Sequence, residues 1–195
     1  NKLTIHIEIM DSIDKIVVVD NWFDHLTLKI LNDKIDQLQW KFCEVVSESE
    51  GNPVERFMTN NIYEEQELDN DPQVVIPLID RACQMQLQNV WPNIKLNGLK
   101  RLRFNGTFAG EGYKMFPHAD IHGDQDSVWT IVIFLNDSDG GTSFYTDKGK
   151  TKVKTVDFKQ NRAVIFPSKI WHNAESPTQS YFRVTIGACY MFETN

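Results

Sequence analysis

From Leu96 to Phe192 the chain is cut into short apolar or alternating runs, and this punctuation constrains the fold more than any other feature. The runs are "LKRLRF", "MFPHADIH", "SVWTIVIFLN", "GTSFYT", "TKVKTVDF", "RAVIFP", "KIWHNA" and "YFRVTIGACYMF", separated by Gly, Asn, Asp, Pro and Ser. Short runs rich in β-branched and aromatic residues read as strands, and the residues between them as turns. Roughly eight strands at this spacing point to an antiparallel sandwich or jelly-roll barrel.

The first part of the chain has a different texture. "KIVVVDNWF" (Lys15 to Phe23) is a β-branched run that reads as a strand. Asp24 offers an N-cap to a helix whose apolar residues are Leu26, Leu28, Ile30, Leu31 and Ile35. "WKFCEVV" (Trp40 to Val46) reads as another strand. Residues Ser47 to Asp71 are polar, with the acidic run Glu64-Glu65-Gln66-Glu67, and read as a long solvated loop or a substrate lid. Val74 to Val90 reads as a second helix with Pro77 near its first turn. The expected fold class is therefore α+β, mainly β. A double-stranded β-helix (jelly roll) over about residues 96–195 carries supporting helices and strands from about 1–95, all within one domain of 195 residues.

Composition narrows the function. The content of 41% hydrophobic and 24% charged residues is that of a soluble globular protein. A formal net charge of −7 argues against a nucleic-acid partner, whose phosphates call for a basic surface. Lys148, Lys150, Lys152 and Lys154 alternate and read as the solvated face of a strand. Cys43, Cys83 and Cys189 are widely spaced and form no CxxC or zinc-knuckle pattern, so a reducing, cytoplasmic setting is expected. No apolar run has the length of a membrane span, and no signal-peptide pattern opens the chain, although it begins at Asn1 rather than Met.

The segment "PHADIH" places His118, Asp120 and His122 at alternate positions, on one face if the segment is a strand. Such a face is either wet, with a His–Asp hydrogen bond, or it holds a cation. His172, in "KIWHNAESP", follows about fifty residues later, and a jelly roll brings distant strands side by side. Two imidazoles and a carboxylate on one side of a metal form the facial triad of non-haem iron(II) oxygenases, which leaves the other positions open. Arg183, in "SYFRVTIGACY", lies on the opposite strand face from Phe182 and Val184, in the interior or in solvent. His6 and His25 have no partners in pattern and receive no role.

With His118, Asp120, His172, Arg183 and Gly140-Gly141-Thr142 in this order, the sequence resembles the iron(II)- and 2-oxoglutarate-dependent dioxygenases, in their prolyl 4-hydroxylase-like branch. "RLRFNGTFAGEGYKMFPHAD", "TIVIFLND", "GGTSFY", "NRAVIFPSKIWHNAESP", "FRVTIGACY" and "IVVVDNWFD" are all similar to segments of that family. The resemblance implies iron(II) bound by His118, Asp120 and His172. It further implies 2-oxoglutarate anchored through its far carboxylate by Arg183, with ascorbate as a supporting reductant. Thr130 and Thr185 are candidates for hydroxyl contacts to the cosubstrate. Where some prolyl hydroxylases place a tyrosine that touches the cosubstrate, this chain has Phe134, and Tyr113 is the nearest substitute. His122 and Trp129 are candidates for substrate contact. The implied reaction hydroxylates a prolyl residue of a peptide or protein and releases succinate and carbon dioxide. The rivals are the same chemistry on a free amino acid or other small molecule, an inactive jelly-roll binding module, and a cupin-like protein using another metal.

Overall fold

The computed structural model describes residues 15–46, 54–64, 67–68, 72–110, 115–121 and 127–193. Strand β1 (Val17–Asp20) leads into helix α1 (His25–Ile35). The Asp24 carboxylate accepts the Leu26 and Thr27 backbone N–H groups at 2.9 and 3.0 Å and so caps the helix as its sequence predicts. Strands β2 (Lys41–Val46), β3 (Val54–Glu64) and β4 (Glu67–Leu68) precede helix α2 (Pro72–Val90). Helix α2 begins two residues earlier than expected, so Pro72 rather than Pro77 occupies its first turn, where a missing N–H costs nothing. Pro77 lies inside the helix. Ile79, Cys83 and Leu87 recur at the helical spacing and are fully buried.

Seven further strands follow: β5 (Leu96–Phe108), β6 (Val128–Phe134), β7 (Thr142–Thr146), β8 (Thr151–Val156), β9 (Arg162–Pro167), β10 (Trp171–Ala174) and β11 (Phe182–Phe192). They form two antiparallel sheets with the earlier strands. The larger runs β1-β9-β6-β11-β5-β3-β2, with β4 beside β3, and the smaller runs β10-β7-β8. Alternation divides β6 between two cores. Ile131 and Ile133 join Leu31, Ile79 and Leu87 of the helices on one face of the large sheet. Phe134 points between the sheets, with Phe144, Val164 and Phe166.

Three sequence expectations change. The polar stretch 47–71 contains β3, which pairs with both β2 and β5, so its described part is not a loop. Its Thr and Asn residues hide the strand pattern because these buried polar side chains are satisfied by partners distant in sequence: the Thr59 hydroxyl reaches the Phe104 carbonyl and the Asn60 amide reaches the Gln39 carbonyl. "MFPHADIH" is not a strand in its described part. Only His118 bridges, to His172, and Pro117 has no N–H to extend the ladder. The lysine alternation also breaks: Lys148 sits in a tight 3-10 turn (Asp147–Gly149) with φ 54°, and only Lys152 and Lys154 lie on β8. Among the described residues no cysteine is in a disulfide, and no helix is long and apolar enough to cross a membrane.

Candidate active site

One backbone bridge builds the core of the site. The His118 N–H donates to the His172 carbonyl at 2.9 Å, and the His172 N–H returns to the His118 carbonyl at 2.8 Å. The two imidazoles are thereby placed 4.6 Å apart, centre to centre. The Asp120 N–H donates to the Ser168 carbonyl at 3.0 Å, which turns the carboxylate toward the same spot. One ligand atom each from His118, Asp120 and His172 lies within 4.8 Å of the others. Each imidazole has its Nδ1 against a carbonyl, Phe116 for His118 at 3.1 Å and Ile170 for His172 at 2.9 Å. A carbonyl only accepts, so both Nδ1 atoms carry the proton and both Nε2 lone pairs are left for the site. Burial lowers the His172 pKa to about 4, against the opposing pull of Asp120, so the ring is neutral at physiological pH.

Asp120 is 4% exposed and held from both sides. Its Oδ1 accepts from Arg101 Nη2 at 2.5 Å, with Arg103 Nη2 at 3.7 Å. Its Oδ2 accepts the Thr130 hydroxyl at 2.7 Å and lies 3.6 Å from His172 Nε2. Burial alone would raise its pKa. His172, Arg101, His118 and Arg103 outweigh that effect and hold the carboxyl well below the usual range, so Asp120 is ionised.

A cavity of about 170 Å³ extends from these residues to Arg183. That guanidinium is 2% exposed. Its Nε donates to the Gly140 carbonyl at 2.6 Å and its Nη2 to the Thr142 hydroxyl at 3.2 Å, while its plane lies against Phe134 and Phe158. No described carboxylate makes an ion pair with it. Burial pulls its pKa down to about 9, with only Glu175 acting to raise it. A buried cation held by neutral groups and facing a cavity calls for an anion inside that cavity.

The other expected residues divide. Thr185 is buried and lines the cavity. The Thr130 hydroxyl also lines it, but is engaged by Asp120 and by Ser168 at 2.8 Å, so it serves the carboxylate rather than standing free for a cosubstrate. Trp129 is not at the site. It is one residue out of phase with Thr130, so it points to the opposite face of β6 and packs on Trp91 and Phe192. Phe134 is fully buried and stacked on Phe158 at 4.4 Å. Tyr113 and His122 lie outside the described residues. Sequence reasoning missed Arg101 and Arg103: two arginines alternating with Leu102 and Phe104 signal a strand with one polar face, and only the fold shows that this face is turned onto Asp120.

The donor set fits a metal ion: two imidazoles whose Nδ1 atoms are held by carbonyls and whose Nε2 atoms face the site, one ionised carboxylate, and an adjoining cavity on their open side. Residues 102–191 match the sequence profile of the 2OG-Fe(II) oxygenase superfamily. The barrel is similar in sequence to that superfamily over those residues, a little under half of the chain. The oxygenase cofactors are accordingly iron(II) and 2-oxoglutarate. Known structures share the fold at low identity. A 2OG-Fe(II) oxygenase family oxidoreductase from Burkholderia pseudomallei superposes with a TM-score of 0.70 at 13% identity, covering 91% of this chain and 85% of its own. A prolyl hydroxylase from Trichoplax adhaerens, in complex with a hypoxia-inducible-factor degradation-domain peptide, gives 0.61 at 14%, covering 92% and 84%. The non-haem α-ketoglutarate-dependent epimerase SnoN from nogalamycin biosynthesis gives 0.58 at 15%, covering 91% and 77%. No curated protein matches the sequence significantly.

Proposed function

We propose that this oxygenase hydroxylates an unactivated C–H bond of a prolyl residue in a peptide or protein. In this reading His118, Asp120 and His172 hold iron(II), and Arg183 binds the far carboxylate of 2-oxoglutarate. The observation that carries it is the pairing, in one cavity, of the His-Asp-His cluster with a buried guanidinium that lacks a described carboxylate partner. When bound, iron(II) and 2-oxoglutarate supply oxygen activation coupled to decarboxylation, with succinate and carbon dioxide released. The chain's own residues do the rest. Arg183 orients the dicarboxylate through charge-assisted hydrogen bonds, Thr185 adds a hydroxyl beside it, and Phe134 and Phe158 keep water from the guanidinium.

Two observations support a peptide substrate. Past Ala174 the cavity adjoins an open cleft of about 820 Å³ lined by Tyr145, Lys152 and Glu175, large enough for an extended segment beyond the reacting residue. The Trichoplax neighbour is a prolyl hydroxylase bound to a peptide. The similarity to an epimerase of nogalamycin biosynthesis favours a second reading, the same chemistry on a small molecule.

The test has two stages. Iron(II) and 2-oxoglutarate added without oxygen should give a weak visible charge-transfer band, absent in His172→Ala and weakened in Arg183→Ala. Succinate release should then rise with proline-containing peptides and not with free proline. A folded protein that leaves iron free and shows no band would sink the oxygenase reading. Stimulation by small molecules alone would replace the peptide.

A further inference from the structure

The carboxylate of Asp120 is gripped by one rung of the large sheet. Arg101 on β5, Cys189 on β11 and Thr130 on β6 stand in register across three adjacent strands. All three side chains meet at the same place. Arg101 Nη2 lies 2.5 Å from Asp120 Oδ1 and 3.3 Å from Cys189 Sγ, and the Thr130 hydroxyl bonds Asp120 Oδ2. Ser168 buttresses the far side, with its Oγ against Thr130 and its carbonyl accepting the Asp120 N–H.

This arrangement treats the two carboxylate oxygens differently. Oδ2 faces His172 Nε2 at 3.6 Å, whereas Oδ1 is covered by the Arg101 guanidinium. A carboxylate binds a metal through one oxygen or through both. Each carboxylate oxygen has two lone pairs, and the Thr130 hydroxyl takes one of those on Oδ2; the guanidinium, being charged, draws more electron density from Oδ1 and leaves it the poorer metal donor. A facial triad leaves three open positions, two for a chelating cosubstrate and one for oxygen. A chelating Asp120 would take one of them.

Resting on the iron reading above, we propose that Arg101 is a positioning residue that restricts Asp120 to a single metal-binding oxygen, Oδ2, and so keeps a coordination position open. Its nearby positive charge also moderates the attraction of the site for the metal itself. Removing Arg101 therefore has opposite effects on the two ligands. Freed to chelate, Asp120 holds the metal at least as tightly as before, while 2-oxoglutarate, short of a position, binds less well.

The test compares wild type, Arg101→Met and Arg101→Lys without oxygen. It measures iron(II) affinity first, then 2-oxoglutarate affinity of the iron-loaded protein by the charge-transfer band, then thermal melting. Arg101→Met should hold iron(II) as tightly as wild type or more so, and bind 2-oxoglutarate about tenfold or more weakly, within the range for outer-shell partners of metal ligands. Arg101→Lys, which keeps the charge and one point of contact, should recover most of the cosubstrate affinity. Loss of both affinities together with a lowered melting temperature in either variant would mean a merely structural role and overturn the proposal. So would wild-type cosubstrate affinity in Arg101→Met. If Arg101→Met does not fold, Arg101→Gln, which also removes the charge, takes its place and is judged by the same outcomes. A wild-type protein without a band defeats the iron reading and this inference with it, whereas a normal wild-type band beside an unaffected Arg101→Met defeats this inference alone.

Discussion

Arg183 donates its Nε–H to the Gly140 carbonyl at 2.6 Å, and this bond ties the cationic end of the cavity to the Gly140-Gly141-Thr142 turn. The turn approaches its neighbours too closely for side chains. A Cβ on Gly140 would lie 2.2 Å from the Glu175 carbonyl oxygen and 3.1 Å from Arg183 Cδ, and one on Gly141 would lie 2.6 Å from the Val156 carbonyl oxygen. The two glycines thus let a backbone carbonyl and the Thr142 hydroxyl set the direction of the guanidinium.

Gly140→Ala should accordingly harm binding more than folding. Backbone has to shift to admit the methyl group, at a cost of about 1–3 kcal/mol in stability. Arg183 should move with the turn, and 2-oxoglutarate affinity should fall about tenfold or more. Titration of the charge-transfer band beside urea unfolding measures both. A folded variant with unaltered affinity would show that the turn does not orient Arg183.

Burial pulls the Arg183 pKa down, yet a guanidinium keeps its proton across the working pH range. As far as this residue sets it, 2-oxoglutarate affinity should therefore stay flat from pH 7 to 10. Arg183→Ala should lose about tenfold or more of that affinity at every pH, because the far carboxylate then has no charge-assisted partner. Titration of the charge-transfer band in both proteins measures it. An Arg183→Ala protein with full affinity would mean that Arg183 does not bind the dicarboxylate.

The legible parts of this molecule were those in which local pattern and global fold agree. Asp24 caps α1 because an aspartate before an apolar helical stripe has one good conformation. His118, Asp120, His172 and Arg183 could be picked out because their spacing relative to glycines and strands is restrictive. The described part of β3 was illegible because its buried face is polar: Thr59 and Asn60 look like loop residues until their partners are known. Arg101 and Arg103 were overlooked for a related reason. A charged residue on a strand ordinarily faces water, and only the tertiary fold turns this face inward onto Asp120. Trp129 was misplaced by a single step of strand phase.

Gly187 should mark the floor of the cavity. It pairs with Arg103 on one side and Val132 on the other, and both neighbours line the cavity. A Cβ there would lie 3.1 Å from Asn105 Nδ2. Gly187→Val suits a strand in propensity but forces Asn105 to give way, at a cost of about 1–3 kcal/mol in stability, while its methyl groups fill the space between Arg103 and Val132. Loss of 2-oxoglutarate binding with retained iron binding is the expected result. Full cosubstrate affinity would place the ligand elsewhere.

Asp139, beside the same turn, holds the approach to β11. Its Oδ2 accepts from the Thr178 N–H at 2.8 Å, the Thr178 hydroxyl at 2.7 Å and the Gln179 N–H at 2.9 Å, and its Oδ1 accepts from the Ser180 N–H at 2.8 Å. Burial is the largest single influence and opposes the charge, but these donors together outweigh it and hold the carboxyl well below its usual 3.8. The sign follows. A depressed carboxylate pKa contributes stability that is present above the unfolded value and lost as pH falls through the folded one. Asp139→Asn keeps the shape but removes the charge, and should cost about 1 kcal/mol at pH 7, the usual worth of such a cap. The gap between wild type and variant should close as pH drops from about 4 toward 2. Urea unfolding at a series of pH values measures it. A gap of constant size would mean that the Asp139 charge does not anchor the segment that carries Arg183 into the site.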